Sequence, residues 1–446
     1  MNIRAISILL AVVITFSNAI FAEPSYVVLN SFGETISAGE WLSAPTNNIC
    51  TVGSMPNQIM IGSDGRILVV ASGSAKIQEI SVSGSTGSVV DEYSLPLGSN
   101  PYLMFEENGR IITSLWVSGG IGIIDIASGS VTATDSFCLG PQGVFADSNY
   151  IYVTAGNLDP ISFVYGEGEL WRLDSSGVPI DYITLGINPQ QIIGGPDGNL
   201  HIVCTGDYVS TFGIVYIVDP ASFAVVDSIV VGGSPQRLAL DRSTGIIYSA
   251  TSIWGAYGSG RLLAYDGETH ELLMDSDDTG NALSGTGIVG LAAFDSYIFA
   301  PSVDSSWIEI VQIDRVTMSL TPVTRHDTGH GPLDVALFDP TGIEEFITRP
   351  ENLTLSTYPN PFNSAVTISI AAGARPVGIE IFDICGHLMA DLPVPTCNFE
   401  NQQVVPTPVI WQPDASVGSG VYFVRAKIDG NNGLQPIVAK RVVYLK

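Results

Sequence analysis

Short apolar runs separated by Gly, Pro, Asn, Asp and Ser turns recur along most of the chain, and long amphipathic helical patterns are nearly absent. The segment SPQRLALDRSTGIIYSAT (234–251) shows the repeated unit best, because it contains a loop ending in Pro, an apolar run, a polar turn and a second apolar run. This unit predicts a β-hairpin. Related units begin near Met55, Asn100, Gly140, Asn188, Thr286 and Gly331.

The hairpins recur about every 40 to 50 residues, a period typical of four-stranded propeller blades and not of two-helix repeats. A second pair of apolar runs lies between successive hairpins, as in IVYIVDPASFAVVDSIVVGG (214–233). Its turn contains Asp219, whose side chain can cap the turn, and neighbouring small residues that tolerate the backbone angles of a tight connection. Each repeat therefore predicts one four-stranded antiparallel sheet.

The two ends of the repeat region are incomplete in complementary ways. Two strand-like runs, 26–30 and 35–42, have no preceding hairpin of the repeated type, whereas the hairpin at 331–348 is followed by Pro350 and has no second pair. We predict that these pieces join in one composite blade, which leaves no free edge between blades. The chain is thus predicted to be all-β, with a seven-bladed β-propeller over residues 23–348 whose ring is closed by the N-terminal strands.

The last part of the chain, 349–446, has a different pattern. Alternating apolar residues separated by Gly, Pro and Asn turns predict a small antiparallel β-sandwich of the Ig-like kind. Its strand-like segments are 353–370, 377–392, 418–430 and 439–446.

The N-terminus is predicted to be a signal peptide over residues 1–22. Arg4 precedes an apolar run at 5–16, and small residues at Ala19 and Ala22 offer cleavage sites. No later stretch is long and apolar enough to cross a bilayer as a helix, so we expect no transmembrane span in the mature chain.

Charge excludes some classes of partner. Only 14% of the 446 residues are charged, and 17 Lys and Arg stand against 44 Asp and Glu, a net charge of −27. Such a chain repels phosphate backbones and anionic membrane surfaces, so nucleic acid is not expected as a partner.

Five cysteines give an odd count, which leaves at least one thiol unpaired in an oxidising compartment. Cys385 and Cys397 flank a hairpin-like segment and could pair. Cys204 lies within an alternating strand and is expected to be a buried apolar residue. No cysteine spacing, Cys50 and Cys138 included, suggests a zinc site.

The Pro-anchored repeat, with YVTA at 152–155 and VGGSP at 231–235, resembles the YVTN family of seven-bladed propellers. The resemblance covers roughly residues 25–348 and implies an architecture. It does not imply an activity, because enzymes, binding proteins and scaffolds share this fold.

The tail carries an ordered set of motifs: YPNP near its start, IFD with a following Gly in its middle, GVYFV near its end and a basic, apolar last strand. These motifs are similar to the C-terminal sorting domain of bacterial type IX (Por) secretion substrates. The resemblance implies passage across the outer membrane by a type IX-like machinery, and a location outside the cell or on its outer surface. An Ig-like accessory domain is the alternative. The matching positions are Tyr358, Pro359, Asn360, Pro361, Gly420, Tyr422 and Lys440.

The four strands of a propeller blade alternate in direction, so the loop before each first strand and the loop between the second and third strands lie on the same face. The long loops are all predicted on this face, at 116–120, 156–169, 206–213, 252–260 and 302–307. Aromatic rings interleaved with carboxylates suit sugars, peptides or other polar polymers, and long rim loops of repeat proteins often bind ligands. Alternatively, the rings pack onto neighbouring loops. The candidate ligand-binding residues are Trp116, Tyr165, Asp207, Tyr208, Trp254, Tyr257 and Trp307.

A second set of polar residues lies beside the anchor prolines, at the predicted channel mouth. Facing amides could coordinate a cation or water cluster, but they could equally satisfy backbone groups where the innermost strands crowd together. The candidates at this mouth are Gln58, Gln142, Gln190, Gln236, His330 and Asp334.

Histidines offer little catalytic chemistry. His326 and His330, with Asp327 between them, could hold a metal, but a loop does not impose the single-face geometry that a helix would. His201 is predicted in a strand and His270 in a turn on the opposite face. No nucleophile elbow occurs, so we predict no catalytic residue, no metal site and no cofactor.

These patterns favour an exported or cell-surface propeller that acts as a non-enzymatic binding or interaction module, with a glycan, peptide or protein as ligand. The alternative is a secreted propeller enzyme, a lyase, lactonase or hydrolase, acting at the channel mouth with His330, Asp334 or Asp207 as base. A surface scaffold without a small ligand is a third hypothesis.

Overall fold

A computed structural model shows two compact units, Met1–Glu344 and Glu345–Lys446, which are described separately below. The predicted signal peptide lies outside the described residues. No helix in the described part is long and apolar enough to cross a membrane. The structure describes residues 25–107, 109–159, 161–251, 260–338, 355–360, 362–370, 376–383, 387–393, 397–400, 403–406, 408–414, 417–428 and 437–446.

Strands dominate the first unit, and its described part also contains a 3₁₀ turn at Thr279–Asn281. In chain order the strands are β1 Ser25–Asn30, β2 Thr35–Glu40, β3 Thr46–Thr51, β4 Pro56–Ile61, β5 Ile67–Ala71, β6 Lys76–Ser83, β7 Thr86–Ser94, β8 Pro101–Glu107, β9 Arg110–Leu115, β10 Gly120–Asp125, β11 Ser130–Ala133, β12 Pro141–Ala146, β13 Tyr150–Ala155, β14 Gly168–Asp174, β15 Pro179–Leu185, β16 Pro189–Gly194, β17 Leu200–Cys204, β18 Ile214–Asp219, β19 Ala224–Val230, β20 Ala239–Asp241, β21 Ile246–Ala250, β22 Leu262–Asp266, β23 Leu272–Met274, β24 Ala292–Phe294, β25 Tyr297–Ser302, β26 Trp307–Ile313, β27 Leu320–Asp327 and β28 Pro332–Phe338.

The described strands of this unit form seven four-stranded antiparallel sheets. Sheets 1 to 6 each use four consecutive strands, beginning with β4, β8, β12, β16, β20 and β24 respectively. Sheet 7 has the order β28-β1-β2-β3, and β1 pairs with β28 so that Val28 lies opposite Val335. The N-terminal strands therefore complete a sheet that begins more than 300 residues further along the chain.

Burial differs between strands of one sheet in a regular way. The second strands β5, β17 and β21 are buried along their whole length, whereas the fourth strand β19 is exposed except at Ile229. A strand covered on both faces is mostly apolar, with hydrogen-bonded exceptions such as His201 in β17, and an outer strand tolerates polar residues.

Apolar clusters join each described sheet to two others, and β1 shows the principle. Tyr26 and Val28 pack against Phe299 and other residues of sheet 6, whereas Val27 and Leu29 pack against sheet 1. Successive side chains of a strand point to opposite faces, so one strand contributes to both clusters. Similar clusters lie between sheets 1 and 2, 2 and 3, 3 and 4, 4 and 5, and 5 and 6.

The described strands of the second unit are β29 Leu355–Tyr358, β30 Val366–Ile370, β31 Pro376–Asp383, β32 Leu388–Leu392, β33 Cys397–Glu400, β34 Gln403–Pro406, β35 Val409–Trp411, β36 Gly420–Ile428 and β37 Ile437–Tyr444. They form a three-stranded sheet, β29-β30-β35, a four-stranded sheet, β32-β31-β36-β37, and the two-stranded β33-β34. The two larger sheets contribute residues to one apolar core, which includes Phe362, Ile381, Trp411 and Val424.

Cysteines of the first unit are free thiols, with Cys204 buried in β17 as its alternating strand predicts. The predicted pairing of Cys385 with Cys397 stays a prediction, because Cys385 and the side chain of Cys397 lie outside the described residues.

Candidate binding site

A pocket of about 150 Å³ lies where the first strands of sheets 2, 3 and 4 begin. It brings together three residues of the predicted rim, Trp116, Tyr165 and Tyr208, and two of the predicted channel mouth, Gln142 and Gln190. The sequence placed these residues in two separate sets. The full lining is Tyr102, Trp116, Gly140, Gln142, Gly156, Leu158, Tyr165, Gln190 and Tyr208.

The two glutamines are held in place by Asn188. Gln142 and Gln190 each follow the proline that begins a first strand, and their Nε2 groups donate to Asn188 Oδ1 at 2.8 and 2.9 Å. Asn188 is fully buried and has a φ of 56°, a left-handed conformation that Asn adopts more readily than most residues. Sequence reasoning did not select Asn188, although its position directly before an anchor proline was a usable signal.

Two tyrosines from different loops form the aromatic side of the pocket. The rings of Tyr165 and Tyr208 lie 6.4 Å apart at an angle of 54°. Burial raises the pKa of both hydroxyl groups, and it also raises the pKa of Tyr102. These hydroxyls therefore stay protonated at neutral pH, where each can donate and accept a hydrogen bond.

The loop that carries Tyr208 is shaped by its neighbour Asp207. The carboxylate accepts hydrogen bonds from the backbone N–H groups of Val209, Ser210 and Thr211 at 2.9, 2.7 and 2.7 Å. Burial alone would raise the pKa of Asp207, but these bonds and the Ser210 hydroxyl outweigh it and lower the pKa well below its usual range. Asp207 thus builds the loop and is a poor general base.

The remaining rim candidates do not line this pocket. Trp307 begins β26, and the guanidinium of Arg325 lies 4.3 Å from the centre of its ring. Trp254 and Tyr257 lie outside the described residues.

The remaining channel-mouth residues have separate environments. Gln58 Oε1 accepts a hydrogen bond from the backbone N–H of Met104 at 2.6 Å, so this side chain links the first strands of sheets 1 and 2. Gln236 is buried. The exposed ring of His330 lies 5.6 Å from that of Phe32.

Asp334 links sheets 7 and 1 in a similar way, because its Oδ2 accepts from the backbone N–H of Ile59 at 3.2 Å. Burial raises the pKa of Asp334 to about 6, against the opposing attraction of Arg237. A carboxyl with this pKa changes its protonation state near pH 6.

His326 does not offer a free imidazole beside His330. It lies within β27, and its Nε2 is 2.8 Å from the carbonyl oxygen of Leu42. Among the described residues, the group of His, Asp, Glu or Cys close enough to hold a metal is a different one, Asp197 with His201 and His270.

Exposed apolar side chains flank the pocket on the two loops that carry its tyrosines. Ile161, Phe163 and Val164 on one loop, and Val209 on the other, are between 62% and 89% exposed. Exposed apolar groups gathered on neighbouring loops are a feature of interaction surfaces.

These features define an all-β protein with a propeller-like fold, and known structures agree. A protein from Bacteroides uniformis ATCC 8492, described provisionally as a 6-phosphogluconolactonase, has a TM-score of 0.57 and 13% identity, covering 71% of this chain and 99% of that chain. A protein from Bacteroides fragilis NCTC 9343 with the same description has a TM-score of 0.54 and 13% identity, covering 71% and 98%. Hydrazine synthase from Kuenenia stuttgartiensis has a TM-score of 0.51 and 16% identity, covering 64% and 90%. At such identities the likeness concerns the fold alone.

Residues 356–440 match the secretion system C-terminal sorting domain, which confirms the sorting domain predicted from the tail motifs. This domain indicates secretion and attachment to the outer cell surface, and implies interaction with the type IX secretion machinery. Among curated proteins, no sequence matches the chain.

Within the sorting domain, Asn360 Oδ1 accepts from the backbone N–H of Val443 at 2.8 Å, and Tyr422 donates to the carbonyl of Gly418 at 2.8 Å. Tyr358, Pro359 and Asn360 are exposed. Pro361 and the side chain of Lys440 lie outside the described residues.

Proposed function

We propose that this protein is a non-enzymatic glycan-binding module of the outer cell surface: a closed, seven-bladed propeller of the YVTN type, exported by its signal peptide and by an Ig-like sorting domain. The observation that carries the binding role is the pocket in which tyrosines of the long loops meet the glutamines that follow the anchor prolines.

Closure of the ring is supported by contacts between sheets. The first strand of sheet 7 contacts the first strands of both sheet 1 and sheet 6. Alternate residues of β1 also belong to the apolar clusters shared with those same two sheets. A ring of this kind protects the sheet edges that an open array would expose.

A neutral sugar unit is the ligand that suits the pocket. Its lining residues are all uncharged, and they combine four aromatic rings with two oriented amides. Rings offer flat apolar area to the C–H face of a sugar, while amide and phenol groups pair with its hydroxyls. A volume of about 150 Å³ is also well below that of pockets for drug-sized ligands, so we expect one terminal or branching sugar residue to enter.

A non-enzymatic role is supported by the chemistry of the same side chains. The tyrosine hydroxyls have raised pKa values and remain neutral, and Asp207 is engaged by its own loop. A secreted enzyme acting at the channel mouth is the second candidate, favoured by one observation: burial raises the pKa of Asp334 to about 6, a value suited to a general base.

The test is a glycan array probed with the mature full-length chain, followed by titration of the best ligand. Tyr208→Ala and Gln142→Ala should each weaken binding tenfold or more, whereas Tyr182→Ala, an exposed tyrosine stacked on Trp171, should leave it unchanged.

Equal binding by wild type and Tyr208→Ala would contradict the assignment of the pocket. Binding to a peptide panel and to no glycan would contradict the choice of ligand. Turnover of a lactone or glycan that is lost in Asp334→Asn would favour the enzyme.

A further inference from the structure

A cluster of three metal-ligating residues lies at the opposite end of β17 from Tyr208. Asp197 is in the turn between β16 and β17, His201 is in β17, and His270 is in the turn between β22 and β23. The Nε2 atoms of His201 and His270 lie 3.0 Å from Asp197 Oδ1 and Oδ2 respectively. Sequence reasoning set both histidines aside, because it placed His201 in a strand and His270 in a turn on the face opposite the long loops.

The other nitrogen of each imidazole is held from outside the cluster. His201 Nδ1 lies 3.1 Å from the hydroxyl of Tyr265, and His270 Nδ1 lies 2.8 Å from Asp227 Oδ2. This arrangement directs both Nε2 atoms toward one carboxylate. Metal-binding histidines usually have such a partner on their second nitrogen, because it fixes the tautomer and the orientation of the ring.

The hydrogen-bonded cluster needs protons that a metal ion can replace. Carboxylates only accept hydrogen bonds, so His270 must carry a proton on both nitrogens to bond Asp227 and Asp197 at once. His201 must likewise carry one on Nε2. A cation among the two Nε2 atoms and Asp197 takes the place of both Nε2 protons and leaves the outer bonds of the imidazoles intact.

Distances and space are compatible with a small ion. The three donor atoms lie within 4.8 Å of one another, and tetrahedral zinc with bonds of 2.0–2.1 Å separates its ligands by about 3.3 Å. The observed N–O separations of 3.0 Å need to open by a few tenths of an ångström. A Cβ on Gly195 would lie 2.1 Å from His201 Nε2 and 2.4 Å from Asp197 Oδ1, so glycine keeps this side of the donors open.

The cluster is enclosed and preorganised. The side chain of His201 is fully buried, and those of Asp197 and His270 are only 10% and 15% exposed. The backbone N–H of Asn199 donates to Asp197 Oδ1 at 3.1 Å, which fixes the carboxylate in its turn. The ligands come from sheets 4 and 5, so an ion here would tie two neighbouring sheets together.

We propose that Asp197, His201 and His270 form a binding site for one zinc ion, with Asp227 and Tyr265 orienting the two imidazoles. Two imidazole nitrogens with one carboxylate oxygen are a ligand set that Zn²⁺ accepts, and three protein ligands leave a fourth position for water. The two carboxylates also supply the charge that a divalent ion neutralises. This site is independent of the sugar pocket.

The test uses the mature full-length chain, purified without a polyhistidine tag, stripped with a chelator and titrated with Zn²⁺ against a competing fluorescent chelator. Wild type should bind one Zn²⁺ per chain, and Zn²⁺ should raise its melting temperature. His270→Ala and Asp197→Asn should weaken binding a hundredfold or more, and Asp227→Asn about tenfold, because Asp227 acts only through His270.

His387→Ala is the matched control. His387 lies four positions after Asp383, as His201 does after Asp197, and its Nδ1 is 3.0 Å from Asp383 Oδ2, but the histidine is 76% exposed and the pair belongs to the second unit. This variant should keep full Zn²⁺ affinity.

Failure of wild type to bind Zn²⁺ stoichiometrically, or equal affinity in wild type and His270→Ala, would overturn the site and leave a hydrogen-bonded network alone. If His270→Ala does not fold, the partly exposed Asp227→Asn provides the same comparison, with circular dichroism of each metal-free variant as the folding control.

Discussion

Truncating Val28 to Ala tests whether β1 is enclosed between sheets 6 and 1. The side chain is fully buried and shares a cluster with Phe299, Ile308 and Ile310 of sheet 6. Removing two methyl-sized groups costs about 1.6 kcal/mol of transfer free energy at about 0.8 kcal/mol each. The cavity left behind adds about 1 kcal/mol, for a total loss of about 2–3 kcal/mol in the free energy of unfolding.

The assay is urea denaturation of the mature chain, monitored through the fluorescence of its buried aromatic residues. If refolding is incomplete, the unfolding rate is compared instead. Val226→Ala makes the same chemical change in β19, where the side chain is 54% exposed, and should cost less than about 0.5 kcal/mol. If Val28→Ala costs no more than Val226→Ala, sheet 6 does not cover β1 and the closed ring is wrong.

Three further changes test individual contacts. The pKa of Asp334 is higher in the folded protein than in the unfolded chain, so the free energy of unfolding should fall by about 3 kcal/mol as the pH rises from about 4 to about 6. Asp334→Asn should flatten this part of a profile of stability against pH. Asn188→Ala leaves two buried amide donors without their acceptor and should cost about 2–4 kcal/mol in urea denaturation; an unchanged midpoint would mean that water replaces the amide. Gly143→Ala places a Cβ 2.1 Å from the backbone oxygen of Gln190 and should cost about 2–3 kcal/mol by the same assay, whereas Gly166→Ala, with contacts no closer than 3.4 Å, should be nearly neutral.

The strands themselves were predictable from local pattern. The hairpin at 234–251 contains β20 and β21, and the runs at 26–30 and 35–42 contain most of β1 and all of β2. Alternation and turn residues act over a few positions, so they can be recognised without knowledge of the rest of the chain. The sorting domain was predictable for the same reason, because its motifs are short and occur in a fixed order.

Local sequence pattern could not predict which residues line the pocket or which groups each side chain contacts. A glutamine follows the anchor proline in several repeats, as at Gln142, Gln190 and Gln236, but the pocket is lined by Gln142 and Gln190. Trp307 fits the same pattern, yet Arg325 lies over its ring. Whether a given residue lines a pocket depends on loop conformations, which differ from repeat to repeat.

The amino-acid pattern alone determined the approximate positions of many strands and that the tail directs export, because each of these rests on neighbouring residues. The tertiary structure decided that Asn188 orients two glutamines and that His201 and His270 meet at Asp197. Those groups lie far apart along the chain and come together only when separate sheets pack, and no local spacing records that packing.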